Sequence, residues 1–239
     1  MPADKTIRLG DYSLVGKDTL LAIEKGLAEA TWYTSPVSKD RMRELLQRRN
    51  GPGLRDTLIW FGLLIVSGVC GYKLWQAGSG WAALPFMIYG IIYGTTSDSR
   101  WHESNHGTVF KIDWMNNVLY EISSFMVMRE STIWRWSHTR HHSDTIIVGR
   151  DPEIAAPRPP DIKAMIMVFF NLNTAPKYFR NVIRHAFGSL SNEEQTFIPE
   201  SESGKVFLRA RLYLMIYATV IVPAIFSGSI LPLVFIGLP

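Results

Sequence analysis

Histidine spacing is the feature of this sequence that carries the most chemistry. Five of the six histidines stand in two short clusters, one made of His102 and His106 and the other of His138, His141 and His142. Residues three or four positions apart share one face of a helix, so each cluster predicts imidazoles that point the same way. Neutral imidazole is a common metal ligand, and five exceed the three or four protein ligands of a tetrahedral zinc site. The pattern favours a histidine-rich centre open to a small molecule, which is typical of iron and oxygen chemistry.

The first cluster also permits a zinc-protease interpretation. The string His102-Glu103-Ser104-Asn105-His106 has the form His-Glu-x-x-His, in which two histidines bind zinc and the glutamate acts as base. That interpretation must find a third ligand and leaves the second cluster unexplained. The chain also contains no Asp-Gly sequence, which membrane-embedded proteases of this kind often use. In the alternative, Glu103 orients a histidine ligand without binding the metal.

Two further polar features have simpler interpretations. His185 stands alone in a segment that predicts an amphipathic interfacial helix, where a histidine usually faces the surface or lipid headgroups. The charged run Gly149-Arg150-Asp151-Pro152-Glu153 follows the second cluster closely and predicts a solvated turn. A contact between Arg150 and a substrate headgroup is the open alternative for that run.

Long apolar segments indicate a polytopic membrane protein. Thr57–Trp75 is a candidate spanning helix. Trp81–Thr96 would cross the bilayer if its helix continues to His106, a length of about 39 Å at 1.5 Å per residue. Leu212–Pro239 has no charged side chain and predicts one helix plus the start of another, with a turn marked by Pro223 and Ser227-Gly228-Ser229.

The shorter segments predict helices and loops at the membrane surface. Val118–Trp136 predicts a helix that leads into the second cluster, and the proline-rich Gly149–Asp161 predicts a loop. Ile162–Leu172 is apolar but too short to span, which predicts an interfacial or re-entrant segment.

The N-terminal region is polar and predicts two short cytosolic helices, Asp18–Ala30 and Ser38–Arg49, within residues 1–56. Ser38 is the expected N-cap of the second helix, and Asn50–Gly53 is its expected end. Basic residues crowd the approach to the first apolar segment, and the positive-inside rule places this end in the cytosol. These residues are Lys39, Arg41, Arg43, Arg48, Arg49 and Arg55.

The predicted fold is therefore all-α, with polytopic membrane helices and a cytosolic helical cap that carries both histidine clusters. Residues 57–239 form the predicted membrane domain. A chain that leaves the cytosol at Thr57 and returns by Thr96 has both clusters on the cytosolic side, where they could meet over one metal centre. The net charge of +4 comes without a basic stripe and interleaved aromatics, so nucleic acid is not an expected partner. The single cysteine, Cys70, allows no intrachain disulfide.

The order of these features resembles the membrane-bound fatty acid desaturase superfamily. A membrane hairpin precedes an HxxxH string at His102–His106, and an HxxHH string at His138–His142 follows after about thirty residues. The first string is similar to the form common in desaturases that act on assembled lipids or on existing double bonds. The resemblance covers roughly residues 30–239.

The resemblance implies a membrane oxidoreductase of lipid metabolism that desaturates a fatty acyl chain. It implies two non-heme iron ions, oxygen as oxidant and an external electron donor of the ferredoxin or cytochrome b5 type. The substrate would be an acyl lipid or acyl thioester within the bilayer. The implied iron ligands are His102, His106, His138, His141 and His142, and no other side chain is assigned a catalytic or cofactor-binding role. A hydroxylase of the same superfamily is the main alternative, ahead of the zinc protease.

One part of the superfamily pattern is missing. Its third string, (H/Q)xxHH, follows a second membrane hairpin, and this sequence contains none. We therefore expect the chain to be the N-terminal part of a desaturase-like protein, truncated within its membrane domain. On that expectation the 239 residues alone hold an incomplete di-iron site and are inactive.

Overall fold

The structure is a computed structural model that describes residues 10–29, 31, 33–154 and 157–236. Within these ranges every regular element is a helix, which confirms the predicted all-α fold. The α-helices are α1 Lys17–Glu24, α2 Lys39–Leu45, α3 Asn50–Gln76, α4 Ala83–Asn105, α5 Asp113–Met126, α6 Ser131–Asp144, α7 Ile162–Phe169, α8 Thr174–Ala186, α9 Ser203–Ser227 and α10 Leu231–Phe235. Four short 3₁₀ turns lie at Leu27–Glu29, Gly80–Ala82, Glu194–Thr196 and Glu200–Glu202.

The chain divides into two compact units. The first unit contains residues 1–34 and 132–211, and the second contains residues 35–131 and 212–239. The first histidine cluster belongs to the second unit, and the second cluster belongs to the first unit. The predicted boundary between an N-terminal region and a membrane domain at residue 56 stays a prediction, and α3 runs through that position.

The start of α3 differs from the prediction for the Asn50–Gly53 run. Ser38 does cap α2, accepting a hydrogen bond from the Arg41 amide at 3.3 Å. The run Asn50–Gly53 then begins a new 27-residue helix. Proline is tolerated there because the backbone N–H groups of the first helical turn have no acceptor within the helix. The Asn50 carboxamide oxygen accepts the amides of Lys111 and Ile112 at 2.8 and 3.2 Å, which fastens this start to the loop after α4.

A small apolar core joins α3, α4 and α5 in the second unit. It consists of Trp60, Leu64, Tyr93, Val109, Phe110 and Leu119. Gly53 permits the close approach at one end, because a Cβ there would stand 2.3 Å from the carbonyl oxygen of Val109. The helix α4 extends to Asn105, as the predicted continuation towards His106 requires.

The predicted single helix over Val118–Trp136 is wrong, because the chain breaks between α5 and α6. Met128 adopts a φ of +53°, which no helix accommodates. The Tyr120 hydroxyl donates to the Ser131 carbonyl at 2.6 Å, and the Ser131 hydroxyl donates to Glu121 at 2.7 Å. These contacts fix where α6 begins, and the second histidine cluster lies on that helix.

The C-terminal apolar run forms one long helix and the start of another, as predicted. Pro223 lies inside α9, and the turn follows at Gly228, which has a φ of +61°. Phe235 of α10 packs edge-on against Tyr89 with ring centroids 5.6 Å apart, and the Tyr89 hydroxyl donates to the Phe235 carbonyl at 2.7 Å.

Two helical stretches among the described residues are long and apolar enough to cross a membrane. They are Lys39–Gln76, which includes α3, and Glu200–Ser227, which includes α9. The helix α4 is not one of them. The predicted multi-pass topology therefore stays a prediction. The helix α7 exposes most of its apolar side chains, which suits the interfacial position predicted for it.

Candidate metal centre

The first histidine cluster lies at the C-terminal end of α4. His102 occupies the last turn and His106 is the C-cap, and the helix ends there because Gly107 adopts a φ of +66°. Both imidazoles are exposed, and they meet edge to face with ring centroids 4.8 Å apart. One ring nitrogen of each lies within 4.8 Å of the other. The predicted sharing of one helix face is thus observed for this pair.

Packing behind the first cluster holds this helix end in place. Trp101 is buried and stacks on Tyr120 of α5 with ring centroids 6.4 Å apart. The Arg129 guanidinium lies 4.0 Å from the centroid of the Trp101 ring and pairs with Asp98 on α4. The exposed histidines therefore stand on a helix turn whose opposite side is fixed by aromatic and cation–π contacts.

Glu103 pairs within its own helix. Its carboxylate accepts a hydrogen bond from Arg100 at 3.0 Å, and its side chain is about half exposed. Its backbone carbonyl accepts the amide and hydroxyl of Thr108 at 3.1 and 2.9 Å.

The second histidine cluster forms a compact group on α6. The ring centroid of His138 lies 5.7 Å from that of His141 and 4.7 Å from that of His142. The Nε2 atoms of His138 and His142 are 3.2 Å apart. His138 is buried and His142 is exposed, so the group has one enclosed ring and one ring that is open to solvent.

Two carboxylates face this cluster from the loop after α6. Glu153 lies 2.9 Å from Nδ1 of His138 and also accepts the Ser137 hydroxyl at 2.9 Å. Asp151 has both carboxylate oxygens within 3.0 Å of Nδ1 of His141. Asp151 is buried and Glu153 half-buried, so the predicted solvated turn at Gly149–Glu153 is wrong. The sequence signal for these two contacts was the presence of two acidic residues soon after the histidines. Asp151 follows His141 by 10 positions, and Glu153 follows His138 by 15.

Arg150 turns towards the helix. Its Nε donates to Asp144 at 3.0 Å, and Arg140 of the cluster donates to the same carboxylate at 3.3 Å. Asp144 is buried, and the two guanidinium groups supply the charge that a buried carboxylate needs. Arg140 also donates to the Thr196 carbonyl at 2.8 Å, which ties α6 to the segment after α8.

His185 is fully buried, so its predicted surface or headgroup-facing position is wrong. Its Nε2 lies 3.2 Å from Glu194, which also receives Arg184 at 2.7 Å and the Ser191 amide and hydroxyl at 2.7 and 2.8 Å. The helix α8 is amphipathic as predicted, and its buried face of Tyr178, Val182 and His185 recurs with helical spacing. His185 belongs to this buried network.

The donor set of the second cluster fits a metal ion. Two imidazole nitrogens that bind one ion at about 2.1 Å each can lie 3.2 Å apart, as the Nε2 atoms of His138 and His142 do. Partial desolvation lowers the pKa of His142, and the neighbouring His138 and His141 lower it further. A lowered pKa favours neutral imidazole, which is the form that binds metals.

A comparison with protein families decides the classification. The family model described as "Fatty acid desaturase" matches residues 78–239, which is more than half of the chain. The chain belongs to the fatty acid desaturase family. No curated protein and no solved structure matched it.

The matched residues of this desaturase-family chain include both histidine clusters. Membership confirms the resemblance drawn from the HxxxH and HxxHH strings, and it indicates an oxidoreductase of a membrane-associated family. Proteins of this family generally use a di-iron centre.

Proposed function

We propose that this protein takes part in the oxygen-dependent desaturation of a fatty acyl chain at a histidine-ligated di-iron centre. The observation that carries the proposal is the HxxHH group on α6, in which two Nε2 atoms lie 3.2 Å apart, within a chain of the desaturase family. The proposed ligands are His102, His106, His138, His141 and His142.

The overall reaction sets what the centre must supply. An acyl CH₂–CH₂ pair loses two hydrogens to become CH=CH, and one O₂ takes these together with two electrons and two protons from the donor, giving two waters. An unactivated C–H bond requires a strong oxidant, which iron with oxygen provides and amino-acid side chains do not. Imidazole suits that chemistry because it resists oxidation better than thiolate, and the two clusters contain no cysteine.

The side chains of the chain would hold and orient this centre. The five imidazoles bind, and Glu153 and Asp151 hold two of the rings from outside. We propose that the two clusters contribute to one shared centre, which the order of the family's histidine strings supports. The apolar helices α3 and α9 support a position in the membrane. We propose the cytosolic side for the clusters because basic residues crowd the approach to α3, and a separate electron donor because the family resemblance implies one.

An apolar groove in the second unit suits a lipid environment. It has a volume of about 510 Å³ and is lined by residues of α3 and α4 together with Met126 and Phe235. Its walls include Phe61, Tyr72 and Tyr89. Such a surface binds acyl chains through apolar contact alone, so it supports acyl lipid as the substrate class without selecting a headgroup.

The test is product analysis by mass. The full coding sequence is expressed in a host of known lipid composition, with ferredoxin or cytochrome b5 supplied, and with a His138→Ala variant as the matched control. We expect an oxygen-dependent acyl product two hydrogens lighter, absent from the control. A product one oxygen heavier would identify the reaction as hydroxylation and not desaturation. Identical lipids in the wild-type and His138→Ala strains would overturn the proposal.

A further inference from the structure

We infer that Glu153 and Asp151 are positioning residues for the second histidine cluster, which set the protonated ring nitrogen and the ring orientation of His138 and His141. This inference rests on the proposed function, since it assumes that these rings bind a metal. It assigns a role in the site to a loop that the sequence pattern presents as a solvated turn.

The contacts of Glu153 specify one tautomer of His138. Both carboxylate oxygens are used, one by the Ser137 hydroxyl and the other by Nδ1 of His138, each at 2.9 Å. An ionised carboxylate only accepts hydrogen bonds, so the nitrogen that faces it must carry the proton. The Nε2 atom of neutral His138 is then left with its lone pair, and this atom faces His142.

Asp151 acts on His141 in the same way and is itself held by the backbone. Its two oxygens lie 2.9 and 3.0 Å from Nδ1 of His141. They also accept the amides of Ile146 and Glu153, both at 2.8 Å. The carboxylate is therefore fixed independently of the imidazole that it contacts, which is what a group that orients another requires.

The loop backbone brings both carboxylates back to α6. Ile146 has a φ of +64° and Gly149 a φ of +80°, which turn the chain sharply after the helix. A Cβ on Gly149 would stand 2.6 Å from the Thr19 amide nitrogen, and the Thr19 hydroxyl donates to the Gly149 carbonyl at 2.5 Å. Close packing on α1 thus holds the loop in the conformation that presents Asp151 and Glu153.

The expected effect is on metal affinity and on tautomer. A carboxylate on the far nitrogen fixes the ring and raises the basicity of the nitrogen that binds, and losing such a partner typically weakens metal binding by about 10- to 100-fold. Glu153 gives the cleaner test, because among the described residues its carboxylate accepts hydrogen bonds from the side chains of Ser137 and His138, whereas the Asp151 carboxylate also holds the loop backbone.

The experiment compares the purified wild-type chain with Glu153→Ala, Glu153→Gln and the control Glu193→Ala. Glu193 lies in the same unit and accepts hydrogen bonds from Ser13 and Leu14, not from a histidine. Imidazole ¹⁵N NMR of the metal-free protein at about pH 8 reports which nitrogen of each ring is protonated. Competition titration with Co²⁺, a spectroscopic substitute for Fe²⁺, reports affinity.

We expect His138 to carry its proton on Nδ1 in the wild type and to lose that preference in Glu153→Ala, with about 10- to 100-fold weaker Co²⁺ binding. Glu153→Gln, which keeps an acceptor, should fall between wild type and Glu153→Ala, and Glu193→Ala should match wild type. The same tautomer and the same affinity in a folded Glu153→Ala or Glu153→Gln would overturn the inference.

The two proposals fail in different ways. If the tautomer of His138 follows residue 153 but the wild type binds no Co²⁺, the metal centre is overturned and the orienting contact is supported. If Co²⁺ binds tightly and equally to wild type and both Glu153 variants, the metal centre is supported and the positioning role is overturned.

Discussion

The two histidine clusters are held in contrasting ways. His102 and His106 are exposed at the end of a helix, and the buried Trp101 packs behind that helix end. His138 and His141 are held by direct carboxylate contacts to their rings. The comparison shows that a histidine cluster can lie exposed at a helix end or beside carboxylates that contact its rings.

The largest effect is expected from removing a ring of the second cluster. His138→Ala removes a buried imidazole together with the partner of Glu153, and we expect Co²⁺ affinity to fall by more than about 100-fold, beyond the loss for an outer partner. His102→Ala should also lose affinity, but with a smaller change in thermal stability because His102 is exposed. Competition titration and thermal unfolding measure the two quantities. If His138→Ala and His102→Ala destabilised the fold equally, the proposed contrast between the buried and the exposed cluster would be contradicted.

Truncating Trp101, which packs behind the first cluster, should lower the stability of the fold. Trp101 is 4% exposed, and Trp101→Ala should lower the free energy of unfolding by about 3–5 kcal/mol, as truncation of a large buried aromatic residue does. Asp151→Ala should cost about 1–3 kcal/mol, because it leaves two part-buried backbone amides and one imidazole without their acceptor. Denaturant unfolding followed by tryptophan fluorescence gives both values. A loss below about 1 kcal/mol for Trp101→Ala would show that the helix end is held by other contacts.

A pH effect is expected from the buried network at His185. Burial alone would raise the pKa of Glu194, but hydrogen bonds from His185 and Ser191 and the charge on His185 outweigh it and lower the pKa from 4.5 to about 2. A lowered carboxyl pKa stabilises the fold above the unfolded value and loses that contribution as pH falls from about 4.5 to about 2. Thermal unfolding of wild type should decline across this window, and Glu194→Gln should be less stable at pH 7 with a flatter decline. Parallel profiles would contradict this assignment.

The smallest effect is expected at Glu103. Its exposed pair with Arg100 is worth about 0.5 kcal/mol or less, so Glu103→Gln should leave stability nearly unchanged. Its Co²⁺ affinity should stay within about threefold of wild type, in contrast to Glu153→Ala. A large loss of affinity would assign Glu103 an orienting role and make the two clusters alike.

The sequence was sufficient for the elements whose signals are local. Helical spacing predicted the face shared by each cluster, and Ser38 and Gly228 marked a helix start and a turn. Pro52 misled because proline ends a helix in its interior but is tolerated in its first turn. The break at Met128 carries no glycine or proline, so local signals did not reveal it.

The partners of the histidines could not be predicted, because tertiary folding creates them. Asp151 and Glu153 reach α6 only through the left-handed backbone at Ile146 and Gly149 and through packing on Thr19. The buried His185 likewise has a partner, Glu194, that lies in the segment after α8 and meets it only in the folded chain. From charge and proline content alone, the loop after α6 and the segment after α8 are both predicted to be solvated.

The most direct test of the proposed centre asks whether the two clusters bind the same iron. Iron per chain and ⁵⁷Fe Mössbauer spectra are measured after anaerobic loading of wild type, His102→Ala/His106→Ala, His138→Ala/His142→Ala and the quadruple variant. A shared centre predicts that either double variant loses tightly bound iron nearly as fully as the quadruple variant does. Independent retention of iron by each double variant, with losses that add in the quadruple variant, would contradict it.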